Sequence, residues 1–137
     1  MTKHFHRELE AIKKRVLTLG ALVEDRVRSA VKALEEMDGE TAAEIVRLDY
    51  EVDEMEVEIE EECLKVLALH QPVAVGLRFI IAVIKINNEL ERIGDIAAWI
   101  AGMVLRSAEI TTISARMNGE RIMNAAFDDD LVNHFTY

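Results

Sequence analysis

Two pairs of acidic residues have a spacing that suits metal binding. Asp49 and Asp53 lie four residues apart in the chain, and so do Glu91 and Asp95. Residues four apart in a helix lie one turn apart on the same face. Two such pairs on neighbouring helices would bring four carboxylates together, and their repulsion would separate them unless a cation bound between them. Hard ions that prefer oxygen suit this ligand set, such as magnesium, manganese, calcium or iron.

The second acidic pair follows one of the most apolar segments of the chain. An apolar stripe with helical spacing runs from Leu77 to Ile84, and the same spacing continues through Asn88, Glu91 and Asp95. On this interpretation, three polar residues interrupt a stripe that faces the core. Charged acids buried there without partners would lower the stability of the fold by several kcal/mol, or the acids would stay protonated.

Three further residues belong to the hypothesis. Gly94 costs about 1 kcal/mol within a helix, and close approach of another helix or a ligand would explain it. Glu56 continues the edge that carries Asp49 and Asp53, so Glu56 and Asn88 are predicted as additional ligands or as residues that support the ligands. Two alternatives remain open at this point. The acids are solvated, as is common on the helix faces of an acid-rich chain, or they form structural ion pairs with an arginine of the first helix.

Three long helices must position these residues. Apolar residues recur at steps of three and four from Phe5 to Met37 and from Ile45 to Leu69, and a third helical segment, apolar on most sides at its start, is predicted from Val73 to about Leu105. Gly39 and Pro72 mark the two connections. Long helices with short connections pack antiparallel, so the predicted fold is all-α, an antiparallel three-helix bundle.

The bundle is predicted to occupy residues 1–106, and residues 107–137 form a C-terminal tail. The tail has weaker periodicity, and a short fourth helix is predicted there without an assigned role. Cys63 lies in apolar helical register, which predicts a core residue rather than a reactive thiol.

The composition excludes several classes of function. Sixteen basic and 26 acidic residues give a formal net charge of -10, and no cluster of lysine or arginine is present, so no nucleic-acid partner is predicted. No uninterrupted apolar run reaches about 18 residues, which predicts no membrane insertion. The single cysteine suits a reducing, cytoplasmic compartment. The Glu-x-x-His motif of carboxylate-bridged di-iron bundles and the common catalytic motifs are missing from the sequence, so the chain is predicted not to be an enzyme.

The residues themselves resemble the PhoU family, regulators that accompany the phosphate ABC transporter. The resemblance extends over roughly residues 5–106, and its most specific part is the string ELERIGD at residues 89–95. It implies a helical bundle in which two acid-x-x-x-Asp motifs bind metal ions. The positions of this chain that match those motifs are Asp49, Asp53, Glu91 and Asp95. The metal is left open among iron, magnesium, manganese and zinc.

The resemblance also implies a role and partners. It implies a cytoplasmic, usually dimeric adaptor that represses the phosphate-starvation response by contacting the transporter ATPase and a phosphate sensor kinase. The family typically carries two three-helix repeats and this chain carries one, so a homodimer or higher oligomer is predicted to replace the second repeat. The alternative is a structural helical module that dimerises without metal or regulatory activity. A metal oxidase is disfavoured because Glu-x-x-His is missing.

Overall fold

The backbone is helical along nearly all of the chain that the structure describes. The computed structural model describes the backbone of residues 2–136 and the side chains of residues 2–121. Its elements are α1 at Lys3–Glu36, α2 at Gly39–Leu48, α3 at Tyr50–His70 and α4 at Ala74–Thr136. The predicted all-α fold is confirmed, with α2 and α3 together forming the second of three long segments of the bundle.

The connection between α1 and α2 is short and closely hydrogen-bonded. Met37 takes a left-handed conformation with φ 52° and ends α1. Asp38 then caps the start of α2, because its carboxylate accepts a hydrogen bond from the Thr41 N–H at 3.1 Å. Gly39 is not the stop that the sequence predicts, since it is the first residue of α2.

The second predicted helix is divided at one residue. Asp49 separates α2 from α3, although its φ of -58° and ψ of -31° are helical. Its N–H donates to the Val46 carbonyl at 3.4 Å, three residues back rather than four. The prediction of one continuous helix was therefore wrong at this position. The Asp49 side chain makes no capping hydrogen bond to α3, so its carboxylate is not used to begin that helix.

The buried apolar residues form two clusters along the bundle. The larger cluster joins α1, α3 and α4 and includes Leu19, Val23, Val52 and Ile80. The smaller cluster joins α1, α2 and α4 and is rich in alanine: Ala30, Ala33, Ala42, Ile45, Ala97, Ala101 and Val104. Arg26 lies between the two clusters along α1. Asp49 lies between them along the second segment, which α2 and α3 form together. The bundle therefore contains a polar layer between two apolar ones.

Cys63 belongs to the larger cluster. Its side chain is fully buried, and that burial raises the pKa of its thiol to about 11. The sequence prediction of a core cysteine is confirmed.

The last helix extends well beyond the bundle. Val104 is buried, whereas residues 109–121 are all exposed. The tail is helical, as predicted, but it continues α4 and does not form a separate fourth helix. The side chains of residues 122–137 lie outside the described residues. The division at residue 106 is therefore a change in burial and not a break in the backbone.

One part of α4 is long and apolar enough to cross a membrane. The criterion is met within Ala74–Arg121 by length and composition alone, and the core helix of a bundle meets the same criterion. The predicted lack of membrane insertion stays a prediction.

Candidate metal centre

The polar layer is built around a close contact between α3 and α4. Gly94 is buried against Val52, and a Cβ atom placed on Gly94 would lie 2.9 Å from Val52 Cγ1. Glycine allows this approach without displacing Val52. The next residue on each helix is an acid, Asp53 on α3 and Asp95 on α4. The contact that the sequence predicted for Gly94 is thus with another helix, and it brings two of the predicted ligands together.

The structure assembles three of the predicted carboxylates. Asp49, Asp53 and Asp95 each offer an oxygen atom, and the three oxygens lie within 4.8 Å of one another. Asp49 is half-buried, whereas Asp53 and Asp95 are exposed. Asp49 reaches this position from the junction between α2 and α3. We call these three residues the aspartate cluster.

The fourth predicted ligand, Glu91, lies beside this cluster. Burial raises the pKa of the Glu91 carboxyl to about 6, and the charges of Asp95, Asp53 and Glu56 act in the same direction. The pKa of Asp49 is also raised, first by burial and then by Asp53 and Asp95. Repulsion among these acids is the effect that the sequence argument expected of two converging pairs.

A buried arginine lies next to the cluster but forms its ion pair elsewhere. The Arg26 side chain is 9% exposed, and its guanidinium donates to Glu51 Oε2 at 2.9 Å. The Arg26 charge lowers the pKa of Asp49, against the larger effect of burial. One alternative was that the predicted ligands form ion pairs with an arginine of the first helix. Arg26 is such an arginine, but its partner is Glu51. Sequence reasoning missed Arg26, although it continues the steps of three and four through Leu19, Val23 and Ala30.

The prediction of the core stripe of the third helix was wrong, because the buried residues lie one position earlier in the chain than predicted. The buried positions of α4 are Gly76, Ile80, Val83, Asn87, Gly94, Ala97, Ala101 and Val104. Asn88 and Asp95 are exposed and Glu91 is only half-buried, so these residues flank the core stripe and do not interrupt it. The early part of α4 is apolar on most sides, and packing against α1 and α3 decided which side became buried.

The amide that does lie in the core is Asn87. It is 1% exposed, and its Nδ2 donates to the Glu56 carbonyl of α3 at 2.9 Å. Its neighbour Asn88 faces outward. Glu56 is half-buried, and burial, Glu60 and Asp53 raise the pKa of its carboxyl. Asn87 therefore joins α3 to α4 one turn before Glu91, a role that the sequence argument did not assign.

The aspartate cluster has the donor atoms that a hard cation requires. Carboxylate oxygens are preferred by magnesium, manganese, calcium and iron. Two of the three oxygens come from α3 and α4, and the third comes from the junction between α2 and α3. Asp53 and Asp95 are exposed, so an ion could reach them from solvent. Asp49, Asp53 and Asp95 would hold such an ion, with Glu91 at the edge of the cluster. The bound ion would offset the repulsion among the acids.

A methyl group added at Gly94 should destabilise the folded protein. Alanine favours a helix over glycine by about 1 kcal/mol, but the Gly94→Ala methyl would overlap Val52, and overpacking typically costs about 1–3 kcal/mol. We expect Gly94→Ala to lower the free energy of unfolding by about 1 kcal/mol and to weaken metal binding by separating Asp53 from Asp95. Chemical denaturation and metal titration measure both effects.

Gly102 provides the matched control, since it lies on the same helix with nothing within 4 Å of an added Cβ. Gly102→Ala should stabilise the protein by up to about 1 kcal/mol. If Gly94→Ala stabilised the protein equally, the α3–α4 contact would not be as tight as described.

This chain is similar to known proteins over about two thirds of its length or more. The family model described as the PhoU domain matches residues 16–104. The Serratia marcescens phosphate-specific transport system accessory protein PhoU is 44% identical over 93 residues, which cover 68% of this chain and 38% of that protein. The homologue from Pseudomonas putida is 36% identical, covering 96% of this chain and 57% of its own length.

A solved structure shows the same fold. The crystal structure of PhoU from Pseudomonas aeruginosa superposes with a TM-score of 0.74 at 40% identity, over 77% of this chain and half of the crystallised chain. The chain thus spans about two fifths to three fifths of the curated relatives described above. All four predicted ligands, Asp49, Asp53, Glu91 and Asp95, lie within the matched residues.

Proposed function

The chain belongs to the PhoU family, and we propose that it is a metal-binding regulatory adaptor of phosphate uptake. Its relatives are named accessory proteins of the phosphate-specific transport system. The observation that carries the metal-binding part is the convergence of Asp49, Asp53 and Asp95 within 4.8 Å. The proposed activity is negative regulation of the phosphate-starvation response, without catalysis, from the cytoplasmic side of the membrane.

The proposed partners are the ATPase of the phosphate ABC transporter and the phosphate sensor kinase. A net charge of -10 favours partners with basic surfaces and disfavours nucleic acid. The metal ion would hold α3 and α4 in one arrangement, so metal and partner binding would be linked if the partner contacts either helix near the cluster. The competing function is a structural helical module with no metal and no regulatory partner.

Expression in bacteria that lack their own full-length relative tests the adaptor role. We expect the chain to lower the expression of a phosphate-starvation reporter at least fivefold in phosphate-rich medium. The transporter ATPase or the sensor kinase, detected by specific antibodies, should be recovered with the immobilised chain. An unchanged reporter together with recovery of neither protein in phosphate-rich and phosphate-poor cells would leave the structural module.

A homodimer is part of the proposal, and the outer face of α4 supports it. Ile110 is 64% exposed and Trp99 61%. These belong to a row of exposed apolar side chains that repeats at alternating steps of three and four, the heptad spacing of helices that pair. We call this row the outer stripe: Ile96, Trp99, Met103, Ile110, Ile113 and Met117, with Arg106 in the remaining heptad position.

The charges beside the outer stripe favour an antiparallel pairing of two copies. Glu109 and Arg116 flank the stripe on the same side and, together with Ile113, line a cavity of about 320 Å³. With a two-fold axis between residues 111 and 112, heptad geometry places Ile110 against Ile113 of the partner subunit. The same axis places Glu109 beside Arg116 of the partner subunit, and the symmetry forms this ion pair twice. The stripe and its flanking charges therefore complement themselves.

A further inference from the structure

Two histidines and a glutamate converge at the opposite end of α3 from the aspartate cluster. His4 and Glu8 lie one turn apart near the start of α1, and His70 is the last residue of α3. His70 Nε2 lies 2.7 Å from Glu8 Oε2, and His4 Nε2 lies 3.1 Å from Glu8 Oε1. One donor atom from each residue lies within 4.8 Å of the other two.

From this geometry we propose a second metal site, formed by His4, Glu8 and His70, that binds zinc or a similar late first-row divalent cation. Two imidazoles and one carboxylate form a ligand set found in three-ligand zinc sites. Imidazole nitrogen also separates this site chemically from the aspartate cluster, since magnesium and calcium prefer oxygen ligands. His70 lies 17 positions after Asp53, so α3 places the two sites about 25 Å apart.

The distances fit such an ion. A tetrahedral zinc ion with bonds of about 2.0–2.1 Å keeps its ligand atoms about 3.3 Å apart. His70 Nε2 and His4 Nε2 lie 2.7 and 3.1 Å from the two different oxygens of Glu8, and one ligand atom from each residue lies within 4.8 Å of the other two. Small rotations of the side chains would therefore place all three ligands around one ion.

The packing leaves room for an open coordination position. The side chains of Glu8 and His70 are each 20% exposed, whereas that of His4 is 72% exposed. The two inner ligands are thus held by the fold, and the His4 side is open to solvent. A cavity of about 150 Å³ lies beside His70 and is lined by Thr2, Phe5 and Pro72, which gives space for a water molecule as the fourth ligand.

The backbone explains why His70 reaches α1. Gln71 takes a left-handed conformation with φ 43° and ends α3, so His70 is held in the last turn. Its ring lies 5.1 Å from that of Phe5, which is buried in the larger apolar cluster. An ion bound here would join the start of α1 to the end of α3 and would stabilise the folded state.

The test uses the untagged full chain carrying Glu91→Gln and Asp95→Asn, which weaken the aspartate cluster. Zinc titrated calorimetrically should bind one site with a Kd in the micromolar range or below, and an excess of magnesium should not compete. Cobalt in place of zinc should give the intense visible absorption of a four- or five-coordinate ion. His4→Ala and His70→Gln should each weaken zinc binding at least tenfold.

His6 gives the matched control, because it lies on the same turn of α1 but outside the cluster. His6→Ala should change the zinc affinity less than twofold. His4→Ala removes a largely exposed side chain, so its fold should persist and can be checked by circular dichroism. Equal losses from His6→Ala and His4→Ala, or a weak octahedral cobalt spectrum, would overturn the proposal and leave only hydrogen bonds between Glu8 and the two histidines.

Discussion

Replacing Glu91 with glutamine and Asp95 with asparagine should abolish most metal binding at the aspartate cluster without destabilising the metal-free protein. The double substitution removes two negative charges at nearly constant volume. Manganese at a concentration a hundredfold above its Kd should stabilise the wild type by about 2.7 kcal/mol, or about 10 °C in Tm. A chelator should reverse this gain. The variant should show almost none of it, as measured by melting curves and elemental analysis.

The pH dependence of the metal-free wild type follows from the same repulsion. The pKa of Glu91 is raised from 4.5 to about 6 in the folded state, so folding favours its protonated form. The wild type should therefore gain stability as the pH falls from about 6.5 to 4.5, by at most about 2 kcal/mol before solvent screening reduces it. The double variant should lose this part of the pH dependence.

A control with the same loss of charge separates the cluster from a general effect. Glu58 and Glu61 lie exposed on α3, and Glu58→Gln with Glu61→Gln should leave metal binding unchanged. Destabilisation of the Glu91→Gln, Asp95→Asn variant with and without metal would mean that the acids form structural ion pairs. Unchanged manganese content would mean that they are solvated.

Reversing the charge of Glu109 should disrupt the proposed dimer, and reversing Arg116 as well should restore it. In the antiparallel pairing, Glu109→Arg places two arginines together at both ends of the contact, whereas the double reversal rebuilds both ion pairs. We expect the single variant to raise the Kd of the dimer at least tenfold. The double variant should return it to within threefold of the wild type. Light scattering over a concentration series measures both constants.

Two further variants test the orientation and the apolar contact. Ile110→Glu should give a monomer of about 15.5 kDa, because it places a charge beside the two-fold axis. Val57→Glu provides a control on an exposed apolar residue of α3 and should leave the dimer intact. A wild type that stays monomeric at high concentration would contradict the pairing, and failure of the double reversal would contradict its antiparallel direction.

The sequence was sufficient for the all-α fold and for the convergence of Asp49, Asp53 and Asp95. Steps of three and four fixed the long helices, and the spacing of the acids within each pair placed both members on one helix face. Gly94 was informative because glycine within a helix is costly unless something approaches closely, and Val52 does. These inferences depend on local geometry, which a sequence pattern carries directly.

The sequence pattern could not predict which side chains become buried or which distant residues meet, because both depend on how the helices pack. The start of α4 is apolar on most sides, so its pattern did not distinguish Asn87 from Asn88 as the buried amide. Arg26 was missed because arginine is rarely buried, even though it keeps the register of the α1 core. His70 and His4 are 66 residues apart, and only the antiparallel return of the chain brings them together.

The unbroken course of α4 from the aspartate cluster to the outer stripe has a consequence for how the protein would engage a partner. In the antiparallel pair, Asp95 lies about 16 residues from the two-fold axis, so the two clusters would be about 50 Å apart on a rigid rod. Such an assembly is bivalent. It could hold two partner molecules at once only if their contact surfaces were separated by a similar span, and its avidity would then exceed the affinity of either contact. The length of α4 would thus determine which partners bind to both clusters at once, namely those whose contact surfaces lie about 50 Å apart.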